Sequence, residues 1–393
     1  MNRLSICVLI LIALGASLPA QPPTPGAPAP IALFSSEAIQ SFTPPENPIT
    51  DAKAKLGDMI FDEKRLSSDN SIACNTCHSP RNGFTTHTET SRGVGDQIGK
   101  RNAPSILNAM FYKTMFWDGR AASLEEQATL PILNPIEMGQ KDPKDVVAKL
   151  AAIPEFAAAF QKVFGHPVNW EDMGKALAAF ERTRLSTEAP FDRFLHGDEK
   201  ALNASQRRGW ALFTGKARCA SCHAYDPALA LFGDNRFHNT GVAARRQDLG
   251  QLATRASNAA ANNQSEIDKL ALETDYSDLG RYLVTQKRED IGAFKTPFLR
   301  DVLLTGPYMH DGSLETLWDV VEFFNNGGER NPFLDAEMKP LGLTDLEIED
   351  LVNFLSALTS DRFAELRAAE LDRQRTTYLY RRASLHEAHI SAR

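Results

Sequence analysis

The sequence predicts a mainly α fold built as two related halves in tandem, and three observations carry that prediction. Residues 146–160, 172–185, 314–324 and 344–358 place apolar side chains at helical spacing, and Thr344 with Glu347 forms a capping-box pattern at the start of the last stretch. Strand-like alternation is scarce. A Cys-x-x-Cys-His pattern occurs twice, at 74–78 and at 219–223, and each copy follows a similar segment. Leu56-Gly57-Asp58-Met59-Ile60-Phe61 precedes the first, and Arg208-Gly209-Trp210-Ala211-Leu212-Phe213 the second. Each segment reads as a helix feeding a short loop and then the motif.

The length of 393 residues allows about two domains at roughly 150 residues each. With 42% hydrophobic and 24% charged residues the composition suits a globular protein with a real core. The net charge of −7 and the lack of a long basic run argue against nucleic acid as a partner. Of five cysteines, four fall in the two tight pairs, which argues against a disulfide scaffold.

Taken in order, residues 1–20 read as an export signal. Arg3 supplies the positive start, and residues 4–16 are an apolar run too short for a mature bilayer anchor. Ala20 is the expected cleavage point, with an uncleaved anchor as the competing reading. Cys7 would leave with the signal, and no cysteine follows that could carry a lipid. Residues 21–44 are expected to be a linker, rich in Pro, Ala and Gly over 21–31. The two halves are expected at 45–195 and 196–362. Residues 242–275 read as a polar surface insertion with a helix. Residues 363–393 form a tail. Phe363, Leu366, Leu371 and Leu379 could line a docking helix, but a solvated, partly frayed extension is the preferred reading.

The two Cys-x-x-Cys-His patterns carry the chemistry. Two thiols at this spacing add across the two vinyl groups of one haem, and the histidine that follows reaches the iron from one face. A lone Cys-x-x-Cys could be redox-active or half a zinc site, but neither explains a histidine directly after both pairs. Cys74, Cys77 and His78 are thus expected to hold one covalent haem, and Cys219, Cys222 and His223 a second. The fold prediction becomes two cytochrome-c-like haem domains in tandem. Attachment of c-type haem outside the cytoplasm agrees with the export signal and a periplasmic location.

Further motifs extend over about residues 45–360. They include Arg101-Asn102-Ala103-Pro104, Phe116-Trp117-Asp118-Gly119-Arg120, Leu124-Glu125-Glu126-Gln127-Ala128 and Asn134-Pro135-Ile136-Glu137-Met138. In the second half stand Asp278-Leu279-Gly280-Arg281-Tyr282, the 294–300 run FKTPFLR and the 304–312 run LTGPYMHDG. With these in order, the chain resembles the bacterial di-haem cytochrome c peroxidase and MauG superfamily.

That resemblance implies a first haem that meets peroxide and a second that relays electrons. Glu137 matches the acid that moves a proton between the peroxide oxygens; on its own it would read as a surface or helix-end charge. Gln127 matches a pocket amide. Trp117 matches a tryptophan that carries electrons between the haems; a lone Trp would otherwise be a core aromatic. Asn102, Thr305 and Pro307 match an inter-haem Ca2+ site of one amide oxygen, two backbone carbonyls and waters, as a hard cation prefers. Without the resemblance they would read as loop residues.

Two positions depart from the family pattern. Many of its peroxidases carry a loop histidine that blocks the resting first haem; here Val94 stands there, with His87 nearby as a substitute or a plain loop residue. The second haem's other axial ligand is Met or Tyr in the family; here it is Phe324, which offers no lone pair. Met309, Met338 and His238 are the replacement candidates.

The expected function is a periplasmic di-haem peroxidase that reduces hydrogen peroxide with electrons from a small redox protein, a cytochrome c or a cupredoxin. The alternatives are a MauG-like enzyme that oxidises a side chain of a protein substrate, and an electron-transfer cytochrome without catalysis. A homodimer is an allowed assembly.

Overall fold

Two helix pairs, each crossing at a glycine, organise the molecule. In the computed structural model, which describes residues 34–226, 229–257, 269–272 and 274–391 (without the side chains of 385–391), the first pair is α1 (Asp51–Phe61) and α3 (Trp170–Arg182). Thr50 caps α1 by accepting from the Lys53 amide, and the helix buries Leu56, Ile60 and Phe61. Gly57 is where the two backbones meet. A Cβ there would lie 2.0 Å from the Ala176 carbonyl oxygen and 2.7 Å from Phe180 Cβ. The second pair is α4 (Ala204–Thr214) and α6 (Asp345–Ser356), and a Cβ on Gly209 would lie 2.0 Å from the Asp350 oxygen and 2.6 Å from Phe354 Cβ. Only glycine permits so close an approach. The Thr344–Glu347 box forms as the sequence predicts, each backbone amide donating to the other's side chain.

The parallel between the halves continues beyond the helices. Asn108 and Asp301 both take left-handed backbone, with φ of 58° and 57°, and open the short turns Ala109–Phe111 and Val302–Leu304. Phe116 and Met309 are left-handed at φ 65° and 72°, and Gly119 and Gly312 at 70° and 68°. Each loop closes on an antiparallel bridge, Met115 with Ala121 and Tyr308 with Leu314. Each then enters a helix capped by a hydroxyl: Ser123 before α2 (Leu124–Gln127) and Thr316 before α5 (Leu317–Asn325). These positions pair at a constant offset along the chain.

The apolar core follows the same division. Leu56, Ile60, Ile132, Phe160, Leu177 and Phe180 belong to one cluster, and Phe213, Phe232, Leu317, Trp318, Leu351 and Phe354 to another. The sheet among the described residues is a single antiparallel pair, β1 (Phe237–His238) on β2 (Phe294–Lys295), with His238 opposite Phe294. The mainly α expectation holds. Among the described residues no helix is long and apolar enough to cross a membrane.

Three expectations need adjustment. The export signal lies outside the described residues, but part of the expected 21–44 linker packs. Phe34 is buried with its ring 4.7 Å from Phe111, and Ser35 caps a helix at Ser36–Ser41. The expected insertion has its own apolar cluster, in which Leu249, Leu252, Ala253 and Ala256 meet Leu279, Leu283 and Ile291. The tail is a docked helix, α7 (Ala364–Ser391), rather than a solvated extension. Its contact face is built on Leu371, Gln374 and Tyr378, whereas Leu366 and Leu379 face solvent. Gln374 is fully buried; it accepts from the Leu317 amide at 2.8 Å and donates to the Leu303 carbonyl at 3.0 Å. A polar side chain at the centre of that face hid it from a search for apolar periodicity.

Candidate functional site

The two Cys-x-x-Cys-His segments fold as tight turns that swing the histidine back under the cysteines. His78 N donates to the Cys74 carbonyl and His223 N to the Cys219 carbonyl, both at 2.9 Å. His78 Nδ1 donates to the Phe84 carbonyl at 3.2 Å, and His223 Nδ1 to that of Phe232 at 2.9 Å. Burial lowers the pKa of both rings. The carbonyls of Phe84 and Pro104 pull against it at His78, and those of Phe232 and Pro297 at His223. Each imidazole is therefore neutral with Nδ1 occupied, which leaves Nε2 as a metal ligand of fixed orientation.

All four thiols are free of disulfides. Burial pushes Cys74 and Cys77 up, and Cys219 up to about 12. Two free thiols and one oriented imidazole per segment fit a covalently held haem at each. Beside the second segment lies a cavity lined by Cys219, Cys222 and His223. Leu317, Val320, Val321 and Phe324 of α5 form part of its wall.

The same cavity reaches Trp117 and Asn102. Trp117 Nε1 donates to the Asn102 carbonyl at 2.9 Å, and the Asn102 amide donates to the His310 carbonyl at 2.8 Å. The loop that carries Trp117 is clamped by buried charge. Asp118 sits between Arg101 at 2.6 Å and Arg120 at 3.1 Å, and Arg281 donates to the Gly119 carbonyl at 2.9 Å. Burial alone would raise the Asp118 pKa; Arg120 and then Arg101 outweigh it and hold the carboxyl at about 2. Thr305 and Pro307 line this cavity with Asn102, so the three expected Ca2+ ligands border one cavity.

Glu137 belongs to the first segment. Asn134 Oδ1 accepts from the Ile136 and Glu137 amides at 2.9 and 3.1 Å, which fixes the 134–137 turn. The Glu137 carboxylate lies close enough to Cys77 that its charge adds to the rise in that thiol's pKa. The Val94 amide donates to the Glu137 carbonyl at 3.0 Å, and Val94 is buried against Gly139. Position 94 is thus held against the Glu137 turn. His87 is exposed, in line with a loop residue. Gln127 closes α2 and is half-buried.

His238 leaves the group of replacement ligands. Its Nδ1 meets Asp335 at 2.6 Å and its Nε2 meets Asp234 at 2.9 Å, so both nitrogens are engaged. Asp234 chiefly, with Cys222 and Asp335, raises its pKa to about 11. The residues that sequence reasoning missed are those that orient the histidines: the carbonyls of Phe84, Pro104, Phe232 and Pro297. The signal was present in Pro104 and Pro297, each four residues before a left-handed Asn108 or Asp301.

Residues 51–200 match a family model described as di-haem cytochrome c peroxidase. The chain is 39% identical over 320 residues to the methylamine utilization protein MauG of Methylorubrum extorquens, covering 81% of each chain. It is 39% identical over 325 residues to a cytochrome-c peroxidase of Denitromonas iodatirespirans, covering 80% of this chain and 84% of that one. A solved structure of a MauG-like protein associated with microbial copper homeostasis superposes with a TM-score of 0.67 at 29% identity, over 81% of this chain and 92% of the other.

Proposed function

This chain belongs to the di-haem cytochrome c peroxidase family, and from that premise we propose that it is a periplasmic enzyme reducing hydrogen peroxide to water with two electrons from a small redox protein, a cytochrome c or a cupredoxin. The two halves act as tandem cytochrome-c-like domains. Haem, when bound at each, supplies redox-active iron. Cys74, Cys77 and His78 hold the group that meets peroxide; Cys219, Cys222 and His223 hold the one that passes electrons on.

The observation that carries this reading is the place of Glu137, on a fixed turn whose carboxylate is felt at Cys77. Peroxide, two protons and two electrons give two waters. Glu137 takes the proton from the inner oxygen and delivers it to the outer one, so that water leaves. Gln127 helps orient the peroxide. Trp117 provides an oxidisable ring on the route between the halves, and its N–H stays fixed on the Asn102 carbonyl. Asn102, Thr305 and Pro307 hold Ca2+, which ties that route to the second half. The test is steady-state peroxide consumption by the holo-protein with a reduced small cytochrome. Stoichiometric oxidation, two cytochromes per peroxide, supports the reading; peroxide consumed without cytochrome oxidation contradicts it.

A second reading, oxidation of a side chain on a protein substrate, draws on Val94 and Phe324, where this chain departs from peroxidases with a loop histidine and a Met ligand. Mass spectrometry of co-purifying proteins after peroxide treatment would detect it as added oxygen or a cross-link.

A further inference from the structure

The repeated architecture allows the walls of the two sites to be compared residue by residue. The left-handed pair Phe116 and Met309, the pair Gly119 and Gly312, and the caps Ser123 and Thr316 set the register. In that register Leu124 pairs with Leu317, and Gln127 pairs with Val320. Where α2 ends at a polar amide, α5 continues for five more residues and adds Val321 and Phe324 to the cavity wall. The face of α5 towards the cavity, Leu317, Val320, Val321 and Phe324, is carbon throughout.

Three of the donor side chains elsewhere around the cavity are committed. His238 is held at both nitrogens by Asp234 and Asp335. Lys295 Nζ donates to the Thr114 carbonyl at 2.8 Å, and Tyr308 Oη donates to the Leu303 carbonyl while accepting from Gln374 at 2.8 Å. The His310 ring lies flat on Phe294, centroids 3.6 Å apart, and its Nε2 faces Asp278 at 3.7 Å. Both thioethers border the cavity away from the α5 face: Met309 also packs against the second core, and the Met338 methyl lies beside Gly328, past the end of α5.

We propose that the second site presents an open, apolar coordination position, and that it binds neutral diatomic ligands such as carbon monoxide, nitric oxide or dioxygen. A carbon wall stabilises no charge, so an anionic ligand entering it would lose its hydration without return. The α5 face also has no acid to move a proton, so this position binds small molecules without cleaving peroxide. The inference rests on the reading of two haems but not on peroxidase activity.

The test is a carbon monoxide titration of the dithionite-reduced holo-protein, followed by absorbance, with haem counted independently. Binding at the second haem should disappear in Phe324→Met, which places a thioether on the wall, so the variant should bind one carbon monoxide fewer per chain than the native protein. Phe324→Leu, which keeps the wall apolar, should bind the native number. A native protein that binds none, or a count unchanged by Phe324→Met, overturns the proposal. Should Phe324→Met fail to fold, near-infrared magnetic circular dichroism of the native ferric protein decides: a His–Met band from the second haem overturns the proposal, and its absence supports it. Fewer than two haems per chain would instead overturn the two-haem reading, whatever the peroxide assay shows.

Discussion

Trp117 and His310 are joined through one residue: the indole N–H donates to the Asn102 carbonyl at 2.9 Å, and the Asn102 amide donates to the His310 carbonyl at 2.8 Å. The two occupy corresponding places in the repeated loops, each just after a left-handed residue and two positions before a left-handed glycine. One contact between the halves therefore runs from Asn102, which holds the first of these positions, to the second. Trp117→Phe keeps an aromatic ring but removes the N–H and most of the ease of oxidation. Turnover with a reduced cytochrome should fall at least about tenfold, about 1.4 kcal/mol of barrier, with both haems retained. Steady-state kinetics beside a haem count measures this.

The glycine crossings make a prediction whose sign is informative. In an exposed helix Gly→Ala gains about 1 kcal/mol. At Gly209 the added methyl would press on the Asp350 carbonyl, and the neighbour is backbone, which cannot swing aside. Gly209→Ala should lose about 1–3 kcal/mol, the usual range for overpacking. Urea unfolding of the holo-protein checks it, and Gly57→Ala should behave alike.

Gln374 anchors the tail helix to α5, the wall of the second cavity. Gln374→Met keeps the volume but leaves the buried Leu317 amide without its acceptor. The cost should be about 1–3 kcal/mol. Gln374→Glu, which keeps the acceptor, should still lose the bonds to Leu303 and Tyr308. Thermal denaturation of both variants against the native protein reports the difference.

Asp118 predicts an acid limb. Its carboxyl titrates at about 2 in the folded chain against an ordinary 3.8. A lowered folded pKa gives stability that is full above the ordinary value and lost as pH falls towards the folded one. The native protein should therefore lose stability steeply between about pH 4 and pH 2. Asp118→Asn should be less stable at neutral pH, because Arg101 and Arg120 lose their buried counter-charge, and its stability should fall less over that interval. Equilibrium unfolding across the acid range tests both.

Much of this was legible in the sequence. The haem segments are short and chemically specific, so Cys74 to His78 and Cys219 to His223 could be read without a fold. The α1 and α4 segments were visible as a weak repeat because Gly57 and Gly209 serve the same close crossing. The rest of the duplication was hidden, since it lives in backbone angles at Asn108, Asp301, Phe116 and Met309 whose side chains differ. The carbonyls that orient His78 and His223 carry no side-chain signature at all. The tail helix was misjudged because its centre is a buried glutamine. His238 stood among three candidate ligands until Asp234 and Asp335, far apart in sequence, were seen to enclose it.

The central claim is that Glu137 moves the proton that lets peroxide break at the first site. Stopped-flow absorbance after mixing Glu137→Gln holo-protein with hydrogen peroxide tests it most directly, because it reads the peroxide step apart from electron delivery. With both haems retained, the first spectral change should slow by roughly 10²–10⁴-fold, the usual contribution of a positioned acid–base group. An unchanged rate in a variant with two haems would contradict the account.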